Sequence, residues 1–524
     1  MQKIMAYLCW FSLTFSGCAL AQKTPLNDFN VDRIKLRGVH SHDEQGINVA
    51  SLEDRVNGWR VDVFPQRRLT LSQLQDLAFR LSRYYQDLGF SFVTAIVPRQ
   101  KISRGVVIIQ VREDKLSDVQ IRNVSPDQRK IMVNEFQKMI GKPVYKPNLE
   151  EPILLLNDNP NREVFAYFSR GKNRGETRLN LNVKQTQSNG ILMGVNNHGS
   201  PSTGTDKWWI AGDIKNPLGW DDSLHMDVSQ SLNNENNLAG SLSYETYSGS
   251  RDIYTYSIAR NQYQLGSGLG FLSLAGEYTT LMAQLRQKST RTFSRSSSQV
   301  FGFEFRHSEL KSLDSGFKFS QKEAAIILSY QDTDTQYALH HGDYLTKTLQ
   351  YSVIALTQDN DELSDPAFFK FSAFFQSGRN LNVNLSGIDA SLVTKLSLQY
   401  SPQIMPSADK KTLSGSAGVR AFEPGTFSAD EAAVLQLHVK GVYPFKLGSL
   451  EPYAFYDHAY GIRKVLGSEV GAELSGFGVG LKFDYGTKLN FNITYASSLT
   501  GKVGNIERPA QGLLLFSVNS QLYK

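Results

Sequence analysis

Residues 489–495 read LNFNITY, and this stretch decides the fold. Leu, Phe, Ile and Tyr alternate with Asn, Asn and Thr, so a β-strand would place the apolar side chains on one face and the polar ones on the other. The same alternation continues, with little else, from about residue 187 to the C-terminus. Segments of about 10 residues, apolar towards lipid and polar towards a lumen, are typical of transmembrane β-barrels.

The length of this region predicts the number of strands. Residues 187–524 number 338, and a strand with its turn takes about 20 residues, which gives about 16 strands, an even number as in bacterial barrels. A soluble β-sandwich would also alternate, but it rarely strings together so long a series of hairpins. Past residue 21 no run of about 18 apolar residues occurs, which excludes a helical membrane transporter.

The first 21 residues predict an export signal. A short apolar stretch at 5–15 is followed by the small-residue cleavage site ALA at 19–21. A lipoprotein cleaved before Cys18 is the alternative. The only other cysteine is Cys9, so the body of the chain contains neither a disulfide framework nor a Cys-ligated zinc site nor a catalytic thiol.

Two copies of a small βααββ unit are predicted before the barrel, over residues 29–113 and 114–186. Within the first copy, apolar residues at helical spacing between 71 and 85 indicate a helix, with Thr70 as N-cap and Gly89 just beyond its end. The order of strands and helices therefore changes to strands alone at about residue 187.

An edge strand of such a unit can accept an extended peptide. We expect a partner-binding surface on the first unit, around Leu81, Tyr85, Phe90, Phe92 and Val97. The alternative is that both units are rigid spacers. Residues 22–186 contain 27 Lys and Arg against 19 Asp and Glu, whereas the remainder up to residue 524 has a net charge of −3. A basic soluble part suits contact with anionic headgroups or an acidic polypeptide.

A long stretch without alternation, at about 404–432, interrupts the barrel pattern. Loops of this length in compact barrels are usually functional. This one contains Val419, Arg420, Ala421 and Phe422. Downstream, residues 477–485 read FGVGLKFDY, and parity turns four of them towards the lumen: Gly478, Gly480, Lys482 and Asp484. The glycines leave room for a loop, and Asp484 is placed to pair with an arginine, although a solvated lumen charge is the default.

Together these features resemble the two-partner-secretion outer-membrane transporters (TpsB family), of the superfamily that includes the insertase BamA. The resemblance implies two periplasmic polypeptide-transport-associated (POTRA) domains, of α+β type, before an antiparallel barrel of 16 strands. It also implies a re-entrant loop with a Val-Arg-Gly-Phe/Tyr motif, whose Arg pairs with an Asp of the barrel wall. Residues 419–422 match three of the four positions, with Ala421 replacing Gly, and Asp484 matches the wall Asp.

The function implied by this resemblance is export, without nucleotide, of one large exoprotein that carries an N-terminal secretion domain. The implied setting is the outer membrane and its lipid, with the POTRA domains in the periplasm, a monomeric pore and insertion by the barrel-assembly machinery. Neither a cofactor nor a nucleic acid is expected, and activation of the partner in transit stays open. Family members often carry a plug helix before the first POTRA domain, which residues 22–28 are too few to form, so we expect the loop to be the main obstruction of the lumen.

Two other classes of function are alternatives to export. An insertase for outer-membrane proteins would share the superfamily fold. An outer-membrane enzyme such as a lipase barrel would need a Ser/His constellation, and neither G-x-S-x-G nor H-E-x-x-H nor a phosphate-binding loop occurs. The stretch HSHDE at 40–44 contains potential metal ligands, but a loop after the first strand is a weak setting for a metal site, and none is expected.

Overall fold

The computed structural model describes residues 28–523, except for 187–188, 233–236, 267–272, 313, 315, 336–342, 359–364, 386–387 and 487. The predicted signal peptide, 1–21, lies outside the described residues. Two compact units are present: one comprises the chain up to Ser117 with Gly141–Lys146 and Arg170–Thr177, and the other comprises the rest. The domain boundaries at 113 and 186 stay a prediction.

The first unit is an α+β domain built around one amphipathic helix. Its elements are β1 (Phe29–Asn30), β2 (Arg33–Arg37), α1 (Val49–Val63), β3 (Arg68–Leu69), α2 (Leu71–Asp87), β4 (Val93–Ile96) and β5 (Val106–Glu113). In the sheet of order β2-β5-β4, β2 runs parallel and β4 antiparallel to β5, while β1 pairs with β3. A short 3-10 turn, Asp43–Gln45, precedes α1.

Helix α2 begins and ends where the sequence predicts. The Thr70 hydroxyl accepts the Gln73 N–H, and the Gln73 side chain accepts the Thr70 N–H, which is a capping box. Gly89 follows the helix with φ +99°, a left-handed conformation that glycine adopts without steric cost. The apolar stripe of α2 packs on the sheet and contributes Leu74, Leu77, Ala78, Leu81 and Tyr85 to the core of this unit.

A second run of strand, helix, helix, strand, strand follows. It consists of β6 (Lys115–Arg122), α3 (Pro126–Asn134), a 3-10 turn (Gln137–Met139), α4 (Lys146–Asn157), β7 (Arg162–Arg170) and β8 (Glu176–Gln185). Its sheet has the order β6-β8-β7. The element order is that of the predicted βααββ unit. Among the described residues no helix is both long and apolar enough to cross a membrane.

The rest of the described chain closes into a barrel of sixteen long antiparallel strands, as predicted. The first eleven are β9 (Gly190–Asn196), β10 (Lys207–Lys215), β11 (Ser223–Ser231), β12 (Leu238–Ser248), β13 (Asp252–Gln264), β14 (Leu274–Arg291), β15 (Arg295–Ser312), β16 (Lys318–Asp334), β17 (Tyr344–Gln358), β18 (Ala367–Leu385) and β19 (Ile388–Tyr400). A loop follows, with the short strands β20 (Lys411–Thr412) and β21 (Ser428–Ala429).

The last five long strands complete the barrel. They are β22 (Glu431–Phe445), β23 (Gly448–Val465), β24 (Ser468–Tyr485), β25 (Leu489–Val503) and β27 (Gly512–Tyr523), with the two-residue β26 (Ile506–Glu507) in the last hairpin. Strand β27 pairs with β9 and closes the barrel. We call the end at which β9 begins the near end and the opposite end the far end.

Alternation along the strands separates an apolar outer face from the lumen. On β24 the side chains of Phe477, Val479 and Leu481 are exposed, and the intervening residues face inwards. An outward apolar band with inward polar or small residues is the pattern of a barrel surrounded by lipid.

Candidate functional site: the lumen loop

Residues 401–430 connect β19 to β22, leave the barrel wall at its far end and fold back against its inner face. Six loop residues are buried with inward-facing side chains of β22 to β25: Leu413, Val419, Ala421, Phe422, Phe427 and Ala429. The loop therefore occupies part of the lumen. The predicted motif of residues 419–422 lies at its tip.

Arg420 is bound to the wall through one carboxylate. Its Nε and Nη2 donate to the two oxygens of Asp457 on β23, each at 2.8 Å, and its backbone N–H donates to Asp457 Oδ2 at 3.0 Å. The Asp457 side chain is fully buried. Two parallel charge-assisted bonds of this kind fix direction as well as distance.

An aromatic ring completes the Arg420 site. The guanidinium carbon lies 3.5 Å from the ring centroid of Phe455, two residues before Asp457 on the same face of β23. Stacking on a ring face stabilises an arginine further, and lysine would not reproduce it. One inward-facing pair of β23 residues thus recognises both the charge and the plane of the guanidinium.

The prediction that Asp484 of the barrel wall pairs with Arg420 is wrong. Asp484 accepts hydrogen bonds from Asn490 and, at 2.9 Å, from the Lys482 ammonium, and it lies at the near end of β24. The loop tip meets β24 at Gly476, and eight residues of strand span about 26 Å. Parity correctly indicates the inward face, but it carries no information about depth in the barrel.

Sequence reasoning missed Asp457, although a signal for it existed. Residues 453–460 read YAFYDHAY, and Tyr456 and Tyr460 are exposed on the outer face of β23. The parity of these two tyrosines turns Asp457 towards the lumen together with Phe455. Two aspartates with inward parity, Asp457 and Asp484, thus lie on adjacent strands, and nothing local in the sequence distinguishes the one within reach of the loop.

Ala421, which replaces the Gly of the family motif, is accommodated by a glycine in the wall. A Cβ placed on Gly476 would lie 2.6 Å from the Ala421 Cβ, closer than two carbon atoms can approach. Ala421 is not among the described non-glycine residues with positive φ, so the methyl group introduces no backbone strain. The Ala421 methyl group therefore fits at the loop tip because Gly476 of β24 has no side chain.

The glycines predicted to give the loop room serve neighbouring aromatic rings instead. A Cβ on Gly478 would lie 2.4 Å from the Phe455 ring, and a Cβ on Gly480 would lie 2.2 Å from the Tyr453 ring. The Tyr453 hydroxyl donates to Asn492 Oδ1 at 2.9 Å on β25. The small residues of β24 therefore support the ring beneath Arg420.

Three of the five residues predicted to bind the partner are core residues of the first unit. Leu81 and Tyr85 are 0% exposed and Phe90 is 2% exposed, so the prediction that they contact another protein is wrong. Their helical spacing in α2 reflects packing on the sheet. Phe92 and Val97 are only partly buried, and they flank β4.

The two edges of the first sheet differ in how they are covered. At β2 the N–H groups of Ile34 and Leu36 donate to Asn57 Oδ1 and Glu53 Oε1 of α1, both at 2.9 Å. Helix side chains thus occupy the positions that an added strand would need. At β4 one donor is covered in the same way, because the Ala95 N–H donates to Ser82 Oγ of α2 at 2.9 Å. The Ile96 side chain beside it is exposed.

The potential metal ligands at 40–44 are placed around a buried carboxylate. His42 Nε2 lies 2.8 Å from Glu113 Oε2, and the Tyr85 hydroxyl donates to Glu113 Oε1 at 3.3 Å. Burial, and then the Glu113 charge, raise the pKa of the Tyr85 phenol. Within the described ranges no group of three or more candidate ligands is arranged to hold a metal ion.

Comparisons with known proteins agree on one family. The sequence signature described as "Haemolysin secretion/activation protein ShlB/FhaC/HecB" matches residues 175–483, and the ShlB-type POTRA domain matches residues 29–114. The heme/hemopexin transporter protein HuxB of Haemophilus influenzae is 24% identical over 462 residues, which are 84% of this chain and 80% of HuxB.

Solved structures share the fold. CdiB from Escherichia coli superposes with a TM-score of 0.73 at 17% identity, covering 97% of this chain and 93% of CdiB. CdiB from Acinetobacter baumannii gives 0.66 at 17% identity, covering 96% and 91%. BamA from Haemophilus ducreyi, lacking POTRA domains 1–3, gives 0.55 at 14% identity, covering 94% and 100%.

Proposed function

This chain belongs to the haemolysin secretion/activation family of ShlB, FhaC and HecB, and we propose that its lumen loop is the gate through which it exports its partner. The family and its relatives make the chain a two-partner-secretion transporter of the outer membrane, with its POTRA domain in the periplasm. The near end of the barrel is then periplasmic and the far end is extracellular.

The Arg420–Asp457 contact carries this proposal. A loop that packs on β22 to β25 narrows the path that an unfolded polypeptide must take through the barrel. Because Asp457 is fully buried, its charge is stable only while a partner neutralises it. The same contact therefore keeps the gate in one position at rest, and opening the gate requires that this one ion pair be broken.

In this proposal the first unit binds the partner before export. The edge of β4, with Phe92 and Val97 beside it, replaces the larger surface expected from sequence. Edge strands bind extended segments through backbone hydrogen bonds. The net charge of +8 over residues 22–186 favours an acidic segment.

The partner is a large secreted protein, and we propose that it carries an N-terminal secretion domain that is bound before export. HuxB is named for heme and hemopexin, and nothing in the site of this chain requires either ligand. A monomeric pore, insertion by the barrel-assembly machinery and contact with outer-membrane lipid complete the proposal. Outward apolar side chains on β24 are consistent with the last of these.

An insertase for other barrels is the second candidate. The observation in its favour is the shared fold with BamA and the shortness of the closing seam, where β27 pairs with the seven-residue strand β9. A short seam is easier to open than the long β14–β15 pairing.

The exporter and the insertase are distinguished by comparing the culture medium and the outer membrane of cells with and without this chain. If the chain exports one partner, mass spectrometry finds one large protein missing from the medium of deletion cells, and the set of outer-membrane barrels is unchanged. Complementation with the intact chain restores that protein. A general decline of outer-membrane barrels would instead identify an insertase and overturn the proposal.

A further inference from the structure

The lumen loop is also attached to a second wall of the barrel, away from Arg420. Asp409, in the first part of the loop, accepts a hydrogen bond from Arg306 Nη1 of β15 at 3.0 Å and pairs with the Lys370 ammonium of β18. Its side chain is only 1% exposed. A carboxylate buried to this degree requires such compensation.

Apolar contacts accompany this ion pair. Met405 is 1% exposed and packs with inward-facing side chains of three neighbouring strands, namely Ala325, Ile354 and Phe368. Its backbone N–H donates to Asp430 Oδ1 at 2.8 Å, at the other end of the loop. The beginning and the end of the loop are therefore tied to each other as well as to the wall.

Asp430 completes this tie. It is fully buried and accepts hydrogen bonds from the Lys410 ammonium at 2.9 Å and from the Lys464 backbone N–H of β23 at 2.8 Å. Next to it, β20 pairs with β21. We call residues 405–414 and 426–430 the stem of the loop.

Two glycines lie at the boundary between this stem and the tip, which the Val419 N–H links to the stem through a hydrogen bond to the Leu413 carbonyl at 2.8 Å. Gly415 has φ +80° and Gly425 has φ +86°, a left-handed conformation that glycine enters and leaves with little steric cost. The motif residues 419–422 lie between them. Large movements in proteins are usually absorbed by a few loop residues of this kind.

We propose that the loop consists of a fixed stem and a movable tip, and that Asp409 is the positioning residue that holds the stem against β15 and β18 during export. Only residues 415–425 leave the wall when a polypeptide passes. This inference rests on the proposed function of the loop as a gate. It adds which part of the loop moves and which residues prevent the rest from following.

The structure offers two matched sites for a covalent test. A Cβ on Gly476 would lie 2.6 Å from the Cβ of Ala421 in the tip, and a Cβ on Gly461 would lie 2.7 Å from the Cβ of Ala429 in the stem. The natural cysteines are Cys9 and Cys18, both in the predicted signal peptide. The tip clamp is Ala421→Cys with Gly476→Cys, and the stem clamp is Ala429→Cys with Gly461→Cys.

Secretion is measured for each clamp before and after reduction of the same cells, which controls for folding because the polypeptide is unchanged. Both clamps add Cβ atoms that must move apart by about 1 Å to reach the spacing of a disulfide, so each clamp is compared with its own reduced form. Oxidation of the tip clamp should stop the secretion that its reduced form retains. Oxidation of the stem clamp should leave the secretion of its reduced form unchanged. A stem clamp that blocks as fully as the tip clamp would overturn the inference while leaving the gate intact, whereas a tip clamp without effect would overturn the gate itself.

Asp409 is tested by rescue. Asp409→Asn keeps the shape of the side chain but removes its charge, so the stem should loosen and secretion should fall about fivefold or more, as expected for coupled sites. The oxidised stem clamp should restore secretion in this variant. Failure of an efficiently formed clamp to restore it would show that Asp409 acts elsewhere than in holding the stem.

Discussion

Arg420 interacts with one carboxylate and one aromatic ring, and both belong to β23. The backbone N–H of the same residue also binds Asp457, so main chain and side chain are fixed together. A hydrogen-bonded guanidinium with this geometry has no equivalent among other side chains. This residue pair therefore fixes the direction of the loop tip, in addition to the apolar contacts that Val419 and Phe422 make with the wall.

Replacing either residue with alanine should undock the tip. Arg420→Ala leaves the buried Asp457 carboxylate unpaired, which costs about 3–5 kcal/mol. Secretion should fall strongly for Arg420→Ala and for Asp457→Ala, and the double variant should be no worse than either, since the two residues act as a unit. The measurement is partner protein in the medium, at equal amounts of folded, heat-modifiable barrel.

Asp484→Ala is the matched control. Asp484 is also an inward-facing aspartate of the barrel wall, but its partners are Lys482 and Asn490. Its removal should leave secretion close to that of the intact chain. If instead Asp484→Ala is as defective as Asp457→Ala, or if the Arg420 and Asp457 defects add, the assigned pair is incorrect.

Gly476 and Ala421 should behave as a compensating pair. Gly476→Ala brings two methyl groups within 2.6 Å of each other, so the tip must shift, and overpacking of this kind costs about 1–3 kcal/mol. Secretion should fall, and the added change Ala421→Gly should restore it. Secretion that stays low in the double variant would show that Gly476 is needed for another reason, such as the nearby Ser497 carbonyl.

At the level of elements, the sequence predicts features that follow from the spacing of apolar residues. It predicts few features that depend on burial or on position along the barrel axis. The N-cap at Thr70 and the glycine after α2 are local features, and the sequence predicts both. Helical spacing also predicts the apolar stripe that contains Leu81 and Tyr85, but the same stripe can serve as a core or as a binding surface. Burial decides between them, and burial is a property of the folded unit.

The same limit applies to the barrel wall. Alternation identified the inward face of β24 but not which of its residues the loop reaches. Asp457 and Asp484 both satisfy the parity rule, on adjacent strands. Only the register of β23 against β24, with Asp457 opposite Gly476, fixes the level at which the tip docks.

Recruitment of the partner is tested at β4 of the first unit. Phe92→Asp or Val97→Asp should reduce secretion about tenfold, because a charge beside the edge opposes an acidic segment and removes apolar contact. Ile131→Asp in α3 is the control, since Ile131 is 48% exposed and lies on a different element. Barrel amount and resistance of the first unit to protease report folding.

Unchanged secretion in both variants, with folding intact, would favour the spacer role for this unit. The edge at β2 offers an internal comparison. Its donors are already bound by Asn57 and Glu53, so charges placed beside β2 should have little effect on recruitment. Equal effects at the two edges would indicate loss of stability rather than loss of a binding surface.

For the whole molecule, the central claim is that the barrel lumen conducts the partner. The outer face of the barrel is apolar, the lumen carries the loop, and the soluble part before it is basic. An insertase would use the seam between β9 and β27 and the surrounding lipid instead. These two routes bring the client polypeptide past different side chains.

Photo-crosslinking from adjacent positions of β19 tests this claim most directly. Lys395 is exposed and has the inward parity of Gln399, whose amide reaches the loop, while Leu396 has the opposite parity. A photoreactive phenylalanine analogue at Lys395 should capture the partner in cells that are secreting, and the same analogue at Leu396 should not. Equal capture at both positions, or capture of unfolded barrel proteins beside the β9–β27 seam with none at Lys395, would contradict export through the lumen.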